Sequence, residues 1–263
     1  MNFLSAILDH TRGEIAGRRS RVPLEVLRGR PLYRRDTLSL SGALRRKSPA
    51  VIAEIKKGSP SRGVICHDFD PARIARQYEA AGACAISVLT EEKFFLGCLE
   101  DLESARCASA IPILRKDFIL EPYQIHEAKA AGADAVLLIA AALGPGEIAS
   151  LMEETRSLGM ETLVEIHSPA ELESLRALEV PLIGINNRDL VTFGTDISLS
   201  ELLAPGLPPG SLGVSESGIR TGADIVRLSR AGIHAFLVGE QFMSSDNPGQ
   251  ALAELLRSAG EAK

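Results

Sequence analysis

Short apolar runs recur along the chain, and between them apolar and polar residues alternate with a helical period. The runs read as strands at 51–56, 85–89, 112–116, 135–139, 162–166, 182–186, 212–215 and 235–238. Most are separated by amphipathic helical stretches, such as 71–81 and 122–131. Both of these open on a proline (Pro71, Pro122), whose fixed φ suits a first helical turn. Nearly continuous apolar strands alternating with helices predict a parallel sheet covered by helices. Three segments then repeat one pattern: EAAGACAISVL from Glu79, KAAGADAVLLI from Lys129 and SRAGIHAFLVG from Ser229. Each reads as a helix end, a glycine cap and a strand. Gly82 and Gly132 lie 50 residues apart, and Gly232 follows 100 further on. One strand–helix unit of a closed barrel takes about 25–30 residues, so these intervals are two and four units. A doubly wound sheet can imitate such spacing, but its regularity favours closure. The expectation is an α/β fold, a (β/α)8 TIM barrel forming one domain over 1–263, with the barrel at 50–263. Residues 1–49 form an N-terminal extension, helical over 5–18.

Composition narrows the partners. A length of 263 residues with 45% hydrophobic positions fits one domain of this class. Aromatic residues make up 4%, Trp is absent and the net charge is -5, which argues against a nucleic-acid partner. The charge is uneven: residues 1–49 carry eleven Lys and Arg against four Asp and Glu. That arm is either a solvated basic surface or a cover over a site for an anionic small molecule. No apolar run reaches the ~18 residues of a membrane span, so no membrane partner is expected. The apolar start, 1–8, lacks the basic flank of a signal peptide. Cys66, Cys84, Cys98 and Cys107 form no CxxC pair, Cys84 reading as core. No metal or other cofactor is expected, and the chain reads as cytoplasmic.

Chemistry is expected at the strand ends, since barrels of this kind place their sites at the C-terminal mouth. Side chains alternate along a strand, so Glu54 and Lys56 share the face toward the axis. Lys116 ends the third strand and Glu165 lies in the fifth. Odd-numbered strands contribute to a common interior layer, so Lys56, Lys116 and Glu165 can meet there. Two readings stand: an inert ion-pair network capping the barrel, or acids and a base acting on an anionic substrate. Glycines in the SESG turn after strand seven (Gly218) and after strand eight (Gly239) suit a phosphate held by backbone N–H groups. Glu240 beside it must point away or pair with a cation. Strand six ends with Asn186 and Arg188, which offer neutral and cationic donors, although a solvated loop fits as well. His167 can share the face of Glu165 but reads as a rim residue. His10, His67, His126 and His234 read as surface or packing residues.

Six blocks, in order, resemble the indole-3-glycerol phosphate synthase family over nearly the whole chain. They are IAEIKKGSPS from Ile52, SVLTEEK from Ser87, LRKDF from Leu114, LVE from Leu163, IGINNRDL from Ile183 and SESG from Ser215. The resemblance implies conversion of 1-(2-carboxyphenylamino)-1-deoxyribulose 5-phosphate to indole-3-glycerol phosphate, with loss of carbon dioxide and water, in tryptophan biosynthesis and without a cofactor. It implies Lys116 as general acid for ring closure, Lys56 as holder of the substrate carboxylate and candidate acid for dehydration, and Glu165 for the later proton or water step. Which lysine serves which step stays open. It implies Glu54 as positioner of the lysines, with Asn186, Arg188 and Ser217 as polar site residues. Ser59, Gly218 and Gly239 match phosphate contacts, and Phe95, Phe118, Leu137 and Leu190 the slot for the aromatic ring. Arg115 departs from a position often apolar in the family and should face the helices. The expected partner is a small phosphosugar, with association with other tryptophan-pathway enzymes left open. The alternatives are another phosphosugar barrel, such as phosphoribosylanthranilate isomerase, or a non-catalytic barrel that binds a phosphate ligand.

Overall fold

The computed structural model describes residues 3–189 and 192–262. The eight barrel strands are β1 (Ala50–Ile55), β2 (Ala85–Leu89), β3 (Ile113–Lys116), β4 (Ala135–Ile139), β5 (Glu161–Ile166), β6 (Leu182–Asn186), β7 (Leu212–Glu216) and β8 (Ala235–Val238). All pair in parallel, each with its sequence neighbour, and β8 pairs with β1 to close the barrel. Four strands match the expected bounds, three differ by one residue at one end, and β1 is displaced by one residue at both. Lys56 falls just beyond β1, and β7 runs on to Glu216 because that residue pairs with Asn186 of β6 and Leu237 of β8.

Alternation along each strand sorts the apolar residues into two layers. Ile52, Leu114, Leu137, Leu163, Val214 and Leu237 pack inside the barrel. Val51, Val88, Val136, Val164, Ile183 and Phe236 pack outward against the helices. The three repeated glycines adopt left-handed backbone, with φ of 98°, 89° and 100° at Gly82, Gly132 and Gly232, which a side chain would resist.

The N-terminal extension spans both ends of the barrel. Helix α1 (Phe3–Arg21) buries Leu4, Ile7, Leu8, Thr11 and Ile15 along one stripe and is longer than the 5–18 expected. A short α2 (Leu24–Gly29) follows, and α3 (Leu40–Arg45) sends Leu40 and Leu44 into the inner cluster. The outer helices are α4 (Pro71–Ala80), α5 (Leu99–Ala108), α6 (Pro122–Ala131), α7 (Pro145–Ser157), α8 (Pro169–Ser174), α9 (Ser198–Leu203), α10 (Gly222–Arg230), the one-turn α11 (Glu240–Met243) and α12 (Pro248–Glu261). Pro71 and Pro122 each begin a helix, as their fixed φ favours. Among the described residues no helix is long and apolar enough to cross a membrane.

Candidate active site

At the C-terminal ends of the strands lies a cavity of about 530 Å³, roofed by Phe3, Leu4 and Ile7 of α1. The expected residues Glu54, Lys56, Ser59, Phe95, Lys116, Phe118 and Leu137 all line it. So do Glu165, Asn186, Arg188, Ser217, Gly218 and Gly239. Leu190 lies outside the described residues.

The floor is charged. Lys116 Nζ stands 3.1 Å from Glu165 Oε2 and 3.2 Å from Glu216 Oε2, and Lys56 Nζ stands 2.8 Å from Glu54 Oε1. Burial disfavours the ammonium of Lys116, but Glu165, Glu216 and Glu54 outweigh it and hold its pKa above the ordinary lysine value. Burial likewise opposes the charge on Glu165, yet Lys116 and His167 overcome it and push that carboxyl well below its usual range. Glu216 goes the other way: burial raises its pKa, and the neighbouring Glu165 adds to the rise beyond what Lys116 offsets. One lysine thus faces two carboxylates of opposite disposition, one inclined to stay ionised and one to keep a proton.

Glu216 is not among the residues expected from sequence. It sits in the SESG block, where glycine chemistry draws attention, yet β7 is an odd-numbered strand whose inward residues join the layer of Lys116 and Glu165. Gly184 makes the space for it, since a Cβ there would stand 2.1 Å from Glu216 Oε1. His167 is more than a rim residue. Its Nε2 is 3.3 Å from Glu165 Oε1 and its Nδ1 is 3.5 Å from Glu171 Oε2. Burial works against the imidazolium, but these two carboxylates raise its pKa to about 10.

One wall is apolar. The Phe95 and Phe118 rings lie 6.2 Å apart at 39°, with Leu137 on the adjoining strand. Glu91 orders the loop that carries Phe95 by accepting the N–H groups of Phe94 (2.6 Å) and Phe95 (3.0 Å). Phe3 packs edge-on against Phe94 and Phe193, so α1 bridges the loops after β2 and β6.

The far side is built from backbone. Ser217 and Gly218 are both left-handed, with φ of 66° and 78°. A non-glycine residue in this region stores strain, which the surroundings hold in place. Asn187 supplies that hold, donating from Nδ2 to Ser215 Oγ (2.9 Å) and to the carbonyls of Glu216 and Ser217 (3.0 Å each). Gly239 precedes α11, and a Cβ there would stand 2.4 Å from Glu54 Oε1. Its bareness therefore serves Glu54 as well as any anion. Glu240 pairs with Arg62 (3.1 Å) and Arg188 (3.0 Å), which neutralises its carboxylate at the mouth. Arg188 also donates to the Phe193 carbonyl (3.0 Å), and Asn186 Oδ1 accepts the Arg188 N–H (3.1 Å). Arg188 is thereby tied to Glu240 and to Phe193 rather than left to solvent.

The sequence model of indole-3-glycerol phosphate synthase matches residues 4–255. The chain belongs to the indole-3-glycerol phosphate synthase family. An indole-3-glycerol phosphate synthase of Albidiferax ferrireducens is 48% identical over 262 residues, covering 98% of this chain and 99% of the relative. One of Acidithiobacillus ferrooxidans is 46% identical, covering 97% and 98%. Membership makes the chain a decarboxylating lyase of tryptophan biosynthesis. Among solved structures, a mutant tryptophan synthase alpha-subunit from Pyrococcus furiosus matches with a TM-score of 0.62 at 16% identity, covering 80% of this chain and 99% of that one. A mandelate oxidase mutant matches with a TM-score of 0.61 at 14% identity, covering 91% and 93%. At such identities these two speak for the barrel alone.

Proposed function

We propose that this pocket closes the indole ring of 1-(2-carboxyphenylamino)-1-deoxyribulose 5-phosphate, with the backbone turn at Ser217 and Gly218, Gly239 and Ser59 holding the phosphate. The benzoate ring lies against Phe95, Phe118 and Leu137, and Lys56 faces its carboxylate. As a ring carbon attacks the ketone, Lys116 gives its proton to the oxygen that becomes a hydroxyl. Proton donation from a placed side chain accelerates such a step by about 10²–10⁴-fold. Carbon dioxide then leaves, and the electrons of its bond return to the ring. In the last step the hydroxyl departs as water, with a proton from a lysine, while Glu165 accepts the proton shed by the substrate. Glu216, disposed to hold a proton, sits where it can return one to Lys116. Asn186 and Arg188 complete the polar rim, and Glu54 keeps Lys56 aimed inward.

The observation that carries this reading is Lys116 between Glu165 and Glu216 at the foot of an apolar slot, with the left-handed turn at Ser217 and Gly218 across the pocket. An aldose–ketose isomerisation needs one acid and one base, and leaves the second lysine and the slot without a task. The deciding experiment is incubation of the purified chain with the synthetic substrate, read by indole fluorescence. Product formation is expected. Isomerisation of phosphoribosylanthranilate with no indole product would favour the isomerase, and binding without turnover a carrier barrel. The proposed setting is the cytoplasm, and association with other tryptophan-pathway enzymes is tested by co-purification from cell extract.

A further inference from the structure

Behind Lys116, on the outer side of β3, lies a buried charge network that the proposed chemistry does not use. Arg115 is 1% exposed. Its Nε donates to Thr90 Oγ1 (3.0 Å), one terminal nitrogen to the Gln124 carbonyl (2.6 Å), and the other to Asp117 Oδ2 (2.8 Å). Glu127 Oε2 lies 3.4 Å from the first of these nitrogens. Asp117 also accepts the Thr90 hydroxyl (2.6 Å) and the Phe118 N–H (2.8 Å). Thr90 in turn donates its own N–H to the Lys116 carbonyl (3.2 Å). Glu127 is gripped from outside by Arg18 of α1, through Nε (2.9 Å) and a terminal nitrogen (3.3 Å). Two guanidinium groups thus face two carboxylates.

The order of residues gives this network its meaning. Lys116 stands between Arg115 and Asp117, so its side chain enters the pocket while Arg115 turns outward and is gripped by Asp117, which itself borders the pocket. Other strands fill the same outer layer with valine and isoleucine, as at Val88, Val136, Val164 and Ile183. Apolar packing there often stabilises at least as well as buried charge. What charge adds is direction, because the arginine fork holds its partners at fixed angles. Helix α1 carries the network further. It is about 28 Å long at helical rise, with Arg18 near one end and the pocket-lining Phe3, Leu4 and Ile7 near the other.

We propose that Arg115 is a positioning residue that fixes the end of β3 so that Lys116 meets the substrate, and that Glu127 and Arg18 make this placement depend on a docked α1. Roof and acid are then assembled together. The inference rests on the reading of Lys116 as the acid.

The test is kinetic. Arg115→Lys keeps the charge and loses the fork. Its kcat should fall by about 100-fold, the scale of a roughly 1 Å misplacement of a reacting group. KM should stay within about threefold, because Arg115 itself lies outside the pocket and touches no substrate. The pH profile of kcat should shift as Lys116 loses its register with Glu165 and Glu216. Arg18→Met should lower kcat by about tenfold, and the double variant should be no slower than Arg115→Lys, since the second change cuts a link already broken. Parent kcat and pH profile in Arg115→Lys would reduce the network to packing, and multiplying losses in the double variant would cut α1 out of it. Where Arg115→Lys does not fold, Arg18→Met decides: a fall in kcat at parental Tm and KM supports the link, and parental kcat overturns it. A parent chain that forms no indole removes the catalytic reading itself, whereas an active parent matched by Arg115→Lys removes this inference alone.

Discussion

Two buried carboxylates at opposite ends of the barrel are treated in opposite ways. Asp134, just before β4, receives four donors on its two oxygens. Arg35 (2.5 Å) and the Leu38 N–H (2.7 Å) bind Oδ1, and Arg106 (3.0 Å) and the Ile113 N–H (2.8 Å) bind Oδ2. Glu216, at the mouth, has neither oxygen in a well-formed hydrogen bond, and its cation, Lys116, is shared with Glu165. Both carboxylates are almost fully buried, at 0% and 1% exposed. Buried polar groups are normally satisfied, and an exception calls for a reason. Asp134 has spent its bonding capacity on tying the N-terminal extension to the barrel floor. The groups at the mouth keep capacity in reserve, which a reacting substrate can draw on. Burial alone therefore does not separate structural from chemical charge here, but saturation does.

The sharpest break of this contrast is Lys116→Met. It keeps much of the stem and removes the proton, so kcat should fall by about 10²–10⁴-fold while the fold survives. Lys116→Arg should fail to rescue, because guanidinium is too weak an acid and too wide. A folded methionine variant turning over at the parental rate would move the acid role to Lys56. The opposite end should answer in the opposite currency. Asp134→Ala leaves Arg106 and Arg35 without their carboxylate, and should cost about 3–5 kcal/mol of stability. Its kcat, measured on the folded fraction, should stay parental. A large kcat loss at Asp134 would dissolve the distinction, whereas some loss of Tm at Lys116→Met is expected, because Glu165 there loses its buried cation.

Much of this was legible along the chain, and the gaps have physical causes. Glycine caps at fixed intervals and eight apolar runs imply the barrel because both are local signals. The inward aim of Glu54 and Lys56 follows from strand alternation. The convergence of Lys116 with Glu165 follows from the layer rule, and the same rule reaches Glu216 once β7 is extended by one residue. The partners of His167 divide: Glu165 is two residues away on the same face, and Glu171 is one helical turn further on. What sequence could not show is long-range. The stripe at Leu4, Ile7 and Leu8 says that α1 is covered, but not that it roofs the pocket. The outward aim of Arg115 was readable from alternation. Its link to α1 was not, because Glu127 and Arg18 are 109 residues apart.

The finest test of the contrast is the pH dependence of stability at Glu216. Burial first, and then Glu165, raise its pKa to about 8 in the folded chain, with Lys116 opposing. A carboxyl that binds its proton more tightly when folded contributes stability that is complete below its unfolded pKa, near 4.5, and is lost as pH rises through the folded value. Glu165 has the reverse sign. Its lowered pKa contributes stability above the unfolded value that is lost only as pH falls through the folded one, below the window of interest. His167, raised to about 10, adds to the decline above its unfolded value near 6.5. Between pH 5 and pH 9 Glu216 and His167 should therefore pull the parental Tm down, while His126, lowered by burial, opposes them below its unfolded value. Glu216→Gln removes one source of that fall. The variant should match the parent near pH 5, where Glu216 is protonated anyway, and should exceed it by a growing margin toward pH 9. Thermal unfolding of both proteins across this range reads the difference directly. A margin that shrinks as pH rises would mean that Lys116 outweighs burial and Glu165, and that Glu216 is as settled a structural carboxylate as Asp134.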